Sequence, residues 1–165
     1  MPQTLYLLRH AKSSWKDDSL RDFDRPLKRR GRDAAKQIGK RLASEEPQPE
    51  VVVCSPAART RETADIVLKH AKWKVDASFD ERIYEASLRD LLQVVADISD
   101  DQRVAMMIGH NPGFEELVAY LSGEHRRMPT CAVAKIRLDV ASWKDARDGE
   151  GTLEWFVTPK ELGED

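Results

Sequence analysis

A chain of 165 residues, 41% hydrophobic and 34% charged with a formal net charge of −2, has room for a single domain, residues 1–165, with a substantial core. It carries no charge excess that would bind nucleic acid or anionic membrane in general. No apolar run approaches the roughly 20 residues that cross a bilayer, and the N-terminus lacks the basic-then-apolar order of a secretory leader, so a cytoplasmic protein is expected. Cys54 and Cys131 lie outside any Cys-x-x-Cys pattern and read as buried small hydrophobes.

The first predicted element is a short buried strand from Thr4 to Leu8, which runs straight into Arg9-His10-Ala11-Lys12. Residues 11–26 are polar and acidic, with Asp17, Asp18, Asp22 and Asp24, and read as a long loop; long ordered loops in compact domains are usually functional. A helix follows from about Lys28 to Ala43, with Ala35, Ile38 and Leu42 on one face. Its basic start, Lys28-Arg29-Arg30-Gly31-Arg32, fits either a solvated face or a site for an acidic partner. Pro47 and Pro49 interrupt the chain before the strand Val51–Cys54.

Ser55 then reads as an N-cap and Pro56 as the first residue of a second helix, whose stripe is Ala64, Val67, Leu68 and Ala71. A short strand is expected near Lys74–Ala77, and a third helix at Leu88, Leu91, Leu92, Val95 and Ile98. Val104 to Ile108 is a strongly apolar strand. Asn111 and Pro112 repeat the cap and first-position signals ahead of Phe114, Leu117, Val118 and Leu121. Ala132–Leu138 and Thr152–Val157, joined by the polar connection Asp145 to Gly151, read as an antiparallel pair at or near a sheet edge. The alternation of strand and helix predicts an α/β fold of three layers, α/β/α, around a mostly parallel central sheet.

His10, Arg59 and His110 each follow a predicted parallel strand, so their loops should leave the same edge of the sheet. Two of those loops also open helices, whose first N–H groups attract anions. The expected result is a phosphate-sized pocket with two histidines and at least two arginines. Each piece also has an ordinary reading: a loop histidine, a surface arginine paired with Glu62 or Asp65, a turn at Gly109-His110-Asn111-Pro112. No His-x-x-x-His or cysteine-rich spacing is visible, and no metal or other cofactor is expected.

Leu8-Arg9-His10-Ala11-Lys12, Arg25-Pro26-Leu27 with Gly31, Ser55-Pro56 with Arg59 and Thr63-Ala64, and Gly109-His110-Asn111-Pro112-Gly113 together resemble the histidine phosphatase superfamily, which has the phosphoglycerate mutase-like fold. Within it they resemble the SixA-type phosphohistidine phosphatases, many of which also have alanine after the first histidine. The resemblance implies His10 as nucleophile and Arg9, Arg59 and His110 as the phosphate clamp. It also puts Arg25 beside the pocket. Lys12 and Ser13, just past the nucleophile, could donate to phosphate or substrate. A proton donor for an alkoxide leaving group would come from Glu81 or Glu85.

The activity so implied is metal-independent hydrolysis through a phosphohistidine enzyme intermediate, acting on phosphohistidine in a protein of a signalling kind. Two alternatives stand beside it: a phosphatase of a small phosphorylated metabolite on the same fold, and a phosphate-binding module without turnover. No nucleic-acid or membrane partner is expected.

Overall fold

The computed structural model describes residues 2–163. Its centre is a six-stranded sheet in the order β3-β2-β4-β1-β5-β6. The strands are β1 (Gln3–Arg9), β2 (Val51–Cys54), β3 (Ala77–Phe79), β4 (Val104–Gly109), β5 (Val133–Leu138) and β6 (Gly151–Val157). β1 to β4 run parallel; β5 pairs antiparallel with β1, and β6 with β5. The expected antiparallel pair is therefore present, with β6 at the sheet's edge.

Strand periodicity divides the core. On β1, Leu5 and Leu7 face one layer and Tyr6 and Leu8 the other; on β4, Ala105 and Met107 oppose Met106 and Ile108. Both faces are apolar because both are covered, as a parallel sheet requires. Helices α1 (Arg29–Leu42) and α2 (Ala58–Ala71) cover one face through Ala34, Ala35, Ile38, Ala64 and Val67. Helices α3 (Leu88–Ala96) and α4 (Gly113–Ser122) cover the other through Leu91, Val95, Phe114 and Leu117. This is the three-layer α/β/α arrangement. Cys54 and Cys131 are both buried, and neither is in a disulfide.

Several boundaries differ from the sequence expectation, each for a visible reason. α2 begins at Ala58, with Ala57 as its N-cap. The Ser55 hydroxyl lies 2.7 Å from a ring nitrogen of His110 and makes only a long 3.4 Å contact with the Ala57 N–H. Asn111 likewise does not cap α4: its side-chain amide donates to Glu115 and to the Met128 carbonyl, and Pro112 takes the cap position. The third parallel strand lies at Ala77–Phe79 because that segment pairs with Val52–Cys54. Just ahead of the polar connection lies a core residue that the sequence pattern leaves unassigned. Trp143 is fully buried, its indole N–H donating 2.7 Å to the Gln102 carbonyl.

The parallel strands deliver three loops to one edge, following Arg9, Cys54 and Gly109. Gly109 must be glycine, since a Cβ there would press within 2.6 Å of the Phe114 ring that roofs this corner.

Candidate active site

His10 is 7% exposed and sits one residue beyond β1. Its main chain is held on both sides, the N–H donating to the Gly109 carbonyl and the carbonyl accepting from the Cys131 N–H. The ring is fixed as well. Nδ1 lies 2.7 Å from the Ala11 carbonyl oxygen, which can only accept, so Nδ1 carries the proton. Nε2 is then a bare lone pair with no hydrogen-bond partner among the described residues. Burial pushes the His10 pKa down to about 3; the Ala11 bond opposes this, while Arg59, Arg9 and Arg25 act in the same direction as burial. The imidazole is neutral at any ordinary pH.

Ala11 is tied to α2. Its N–H donates 3.0 Å to the Thr63 hydroxyl, which donates 2.7 Å to the Arg59 carbonyl. One chain of bonds therefore links the His10 ring to the helical turn that carries Arg59. The His10 and His110 rings lie 5.2 Å apart between centroids. His110 Nε2 lies 2.7 Å from the Ser55 hydroxyl. If that hydroxyl donates, the proton belongs on Nδ1, which is buried and has no partner. Burial, then His10 and Arg59, hold the His110 pKa down to about 3 against the opposing pull of Asp22.

Arg9 donates through Nη1 to the Met128 carbonyl at 2.9 Å. Arg59 donates through Nη1 to the Asp22 main-chain carbonyl and through Nη2 to the Asp22 carboxylate. In both arginines the buried Nε has no partner. Nε and Nη2 form the side-on edge of a guanidinium, the edge that binds an oxyanion with two parallel bonds. Of eight buried side-chain polar atoms without a partner among the described residues, three are Arg9 Nε, Arg59 Nε and His110 Nδ1. Orphaned buried donors are costly, and the two Nε–H groups are of the kind an oxyanion satisfies, as is His110 Nδ1 if it carries the proton.

The loop after His10 folds back over the site. Ser13 bridges to Leu27, and Asp22–Asp24 form a short 3₁₀ turn. Arg25 is 6% exposed, and every guanidinium nitrogen is engaged: Nε and Nη2 with Asp22 Oδ1, Nη1 with Ser13 Oγ and more weakly the Ser14 carbonyl. Arg25 thus reaches the site through Asp22 rather than by an open edge. Trp15, 74% exposed, lies flat on the Arg25 guanidinium, 3.5 Å from ring centroid to Cζ.

Lys12 lines a cleft with Arg30, Pro129, Thr130 and Lys160, and its side chain hydrogen-bonds none of His10, Arg9, Arg59 or His110. Glu81 and Glu85 are exposed; Glu81 accepts the Tyr84 N–H through its main-chain carbonyl, but neither carboxylate forms a hydrogen bond or ion pair with the described residues. Among those residues no three His, Cys, Asp or Glu side chains gather as a metal-ligand set.

Sequence reasoning missed Asp22 and Tyr84. The Tyr84 hydroxyl donates 2.6 Å to Asp22 Oδ2, and its ring stands edge-on to both Phe23 and His110. Asp22 was one acid among four in a polar loop, and nothing in its spacing marks it out. Tyr84 lies beside the expected Glu85, so that segment reaches the site through its tyrosine.

A sequence model of the histidine phosphatase superfamily (branch 1) matches residues 5–106. An uncharacterized chloroplastic protein of Arabidopsis thaliana is 35% identical over 172 residues, covering 94% of this chain and 77% of its own length. A structure from Nakamurella multipartitia, assigned as phosphohistidine phosphatase SixA, is 26% identical with a TM-score of 0.84, over 96% of this chain and 97% of its own. One from Agrobacterium tumefaciens with the same assignment is 28% identical with a TM-score of 0.82, over 96% and 99%.

Proposed function

The chain belongs to the histidine phosphatase superfamily, and from that premise we propose that it is a metal-independent phosphatase whose nucleophile is His10 and whose substrate is phosphohistidine in a protein. The observation that carries the chemistry is the bond from His10 Nδ1 to the Ala11 carbonyl. It fixes the tautomer and leaves Nε2 as an attacking lone pair. Arg9, Arg59 and His110 supply the unpartnered donors around it, and these meet the charge that spreads over the equatorial oxygens in phosphoryl transfer. Arginine charge here does the work that a metal does elsewhere.

The reaction runs in two displacements. His10 Nε2 forms a bond to phosphorus while the bond from phosphorus to the leaving atom breaks, and that atom keeps the bonding pair. Water then displaces His10 and releases phosphate, restoring the neutral imidazole. The leaving group separates substrates. An alkoxide needs a proton as it departs, whereas phosphohistidine protonated on its other ring nitrogen departs as neutral imidazole. The Glu81 and Glu85 carboxylates are exposed and hydrogen-bond to no residue of the site, and Asp22 is held as a carboxylate. A substrate that needs no donor suits this inventory, as does the SixA assignment of the neighbouring structures.

The test compares a phosphohistidine protein with a panel of phosphorylated metabolites, using wild type and His10→Ala. The expected result is preference for phosphohistidine, with trapped label on His10 that survives base and is lost in acid. Label that persists in His10→Ala removes the nucleophile assignment. Preference for one metabolite replaces the substrate, and phosphate binding without turnover makes the chain a binding module.

A further inference from the structure

Asp22 has the wrong sign for its surroundings. A phosphate dianion seated between Arg9 and Arg59 would be repelled by a carboxylate beside it. The bonds of Asp22 account for its presence. Its main-chain carbonyl and carboxylate Oδ2 take Nη1 and Nη2 of Arg59, at 2.8 and 3.0 Å. Those two nitrogens form the end-on edge of the guanidinium. A guanidinium is planar and rigid, so fixing one edge aims the other. The edge left over is the side-on one, with its Nε buried and unpartnered.

Asp22 is held in turn. Oδ1 accepts from Nε and Nη2 of Arg25, at 3.1 and 3.0 Å. Oδ2 also accepts from the Tyr84 hydroxyl. Arg25 is anchored beyond by Ser13 and capped by Trp15. Tyr84 is braced by Phe23 and by His110. Partial burial pushes the Asp22 carboxyl up, but the bonds from Tyr84, Arg59 and Arg25 together hold its pKa down to about 2. Such a group holds no proton at neutral pH to give to a leaving group.

We propose that Asp22 is a positioning residue, which clamps the end-on edge of Arg59 so that the side-on edge stays open to the phosphoryl group, with Tyr84 and Arg25 fixing Asp22. The proposal rests on the reading of His10 and Arg59 as phosphatase machinery. It differs from the two roles a pocket carboxylate is usually given, since Asp22 neither donates a proton nor touches the reacting atoms. It also gives the acidic loop a task in catalysis: the loop reaches the phosphate through an arginine that another element carries.

The experiment uses the full chain as wild type, Asp22→Asn, Tyr84→Phe, Arg59→Ala and the double variant Asp22→Asn/Arg59→Ala. Substrates are a phosphoramidate, p-nitrophenyl phosphate and an alkyl phosphate; vanadate affinity is read by calorimetry, which needs no turnover. Asp22→Asn is expected to lower kcat at least ~10-fold by similar factors on all three substrates, the scale of loss for a slightly misplaced group. It should also weaken vanadate at least ~10-fold. In the Arg59→Ala background the same change should cost under ~3-fold, because the residue it acts through is gone.

Tyr84→Phe, which removes only a hydroxyl, should move the same readouts in the same direction by less, and it tests the proposal should Asp22→Asn fail to fold. Wild-type kcat in Asp22→Asn overturns the proposal. A loss confined to the alkyl phosphate makes Asp22 a proton donor instead and overturns it too. A loss undiminished in the Arg59→Ala background shows a role that does not pass through Arg59. A wild type that neither turns over any substrate nor binds vanadate brings down the phosphatase reading itself.

Discussion

Lowering the pH should destabilise this fold in proportion to its two buried site histidines. His10 and His110 both have pKa values held near 3, against about 6.5 in the unfolded chain. Between those values the unfolded state binds protons that the folded state refuses. Stability therefore rises with pH across this window and is lost as pH falls through 6.5 toward 3. At full effect each histidine contributes about 1.4 kcal/mol per pH unit. From pH 7 to pH 5 that amounts to roughly 2 kcal/mol for each and about 4 kcal/mol for the pair, a large share of the 5–15 kcal/mol typical of a domain. Asp22, held near 2, and the other depressed carboxylates act in the same direction but mainly below pH 4.5, so the histidine contribution stands apart. The assay is urea unfolding at half-unit pH steps for wild type and the double variant His10→Gln/His110→Gln. The wild type should lose about 4 kcal/mol more than the variant between pH 7 and pH 5. Parallel curves would mean that the histidines titrate normally, and the neutral-nucleophile argument would fail with them. Saturating phosphate should shrink the difference, since a bound dianion favours the protonated rings.

Arg59→Ala should cut turnover at least ~10²-fold, the scale for losing one preorganised donor to a transition-state oxyanion; near-normal steady-state rates would return Arg59 to the role of a structural partner for Asp22. Vanadate should inhibit and EDTA should leave rates unchanged, because the positive charge is built from side chains; activity lost to EDTA and restored by a divalent cation would contradict this. Gly31→Ala would drive its Cβ into the Lys12 main chain, pushing α1 off the loop that follows the nucleophile. It should cost about 1–3 kcal/mol in thermal unfolding, and an unchanged Tm would refute the close packing. Glu81→Gln and Glu85→Gln should each leave phosphohistidine turnover within about twofold, whereas a ~10²-fold loss in either would identify a general acid.

The parts of the fold set by repetition were legible in the sequence. Unbroken apolar runs at Leu5–Leu8 and Ala105–Ile108 mark strands buried on both faces, and the α1 and α3 stripes mark the helix faces that meet the core; which side of the sheet each helix covers appears only in the fold. Topology follows from the alternation, and with it the edge on which His10, Arg59 and His110 meet. What escaped was set by choices between equivalent partners. Ser55 and Asn111 have good capping chemistry, yet tertiary contacts with His110, Glu115 and Met128 claim their side chains. Trp143, just ahead of the polar connection, shows no pattern in sequence that marks it as core; in the fold its indole N–H meets the Gln102 carbonyl. Asp17, Asp18, Asp22 and Asp24 are alike as letters, and only the folded loop selects Asp22 to meet Arg59 and Arg25. The family resemblance points to Glu81 and Glu85 by their place in the chain, but exposure and the lack of any side-chain bond into the site separate them from the Tyr84 between them.

The site reconciles two demands that oppose each other elsewhere. A phosphate clamp wants positive charge concentrated in one pocket, while a histidine nucleophile must be neutral. Here the first demand serves the second. Arg59, Arg9 and Arg25 all disfavour a proton on His10, in the same direction as burial. A second proton could land only on Nε2, because Nδ1 already holds one against the Ala11 carbonyl. On the proposed roles, the atom that attacks is therefore the atom that the arginines keep bare. Stabilising the arginines then falls to a carboxylate, and it can do so without blocking the phosphate only by taking guanidinium edges the phosphate does not use. Asp22 takes the end-on edge of Arg59 and the side-on edge of Arg25. Arg25 holds Asp22, and on the proposal above Arg59 keeps its side-on edge for the oxyanion. The pocket's charge is thus balanced at its back and open at its front.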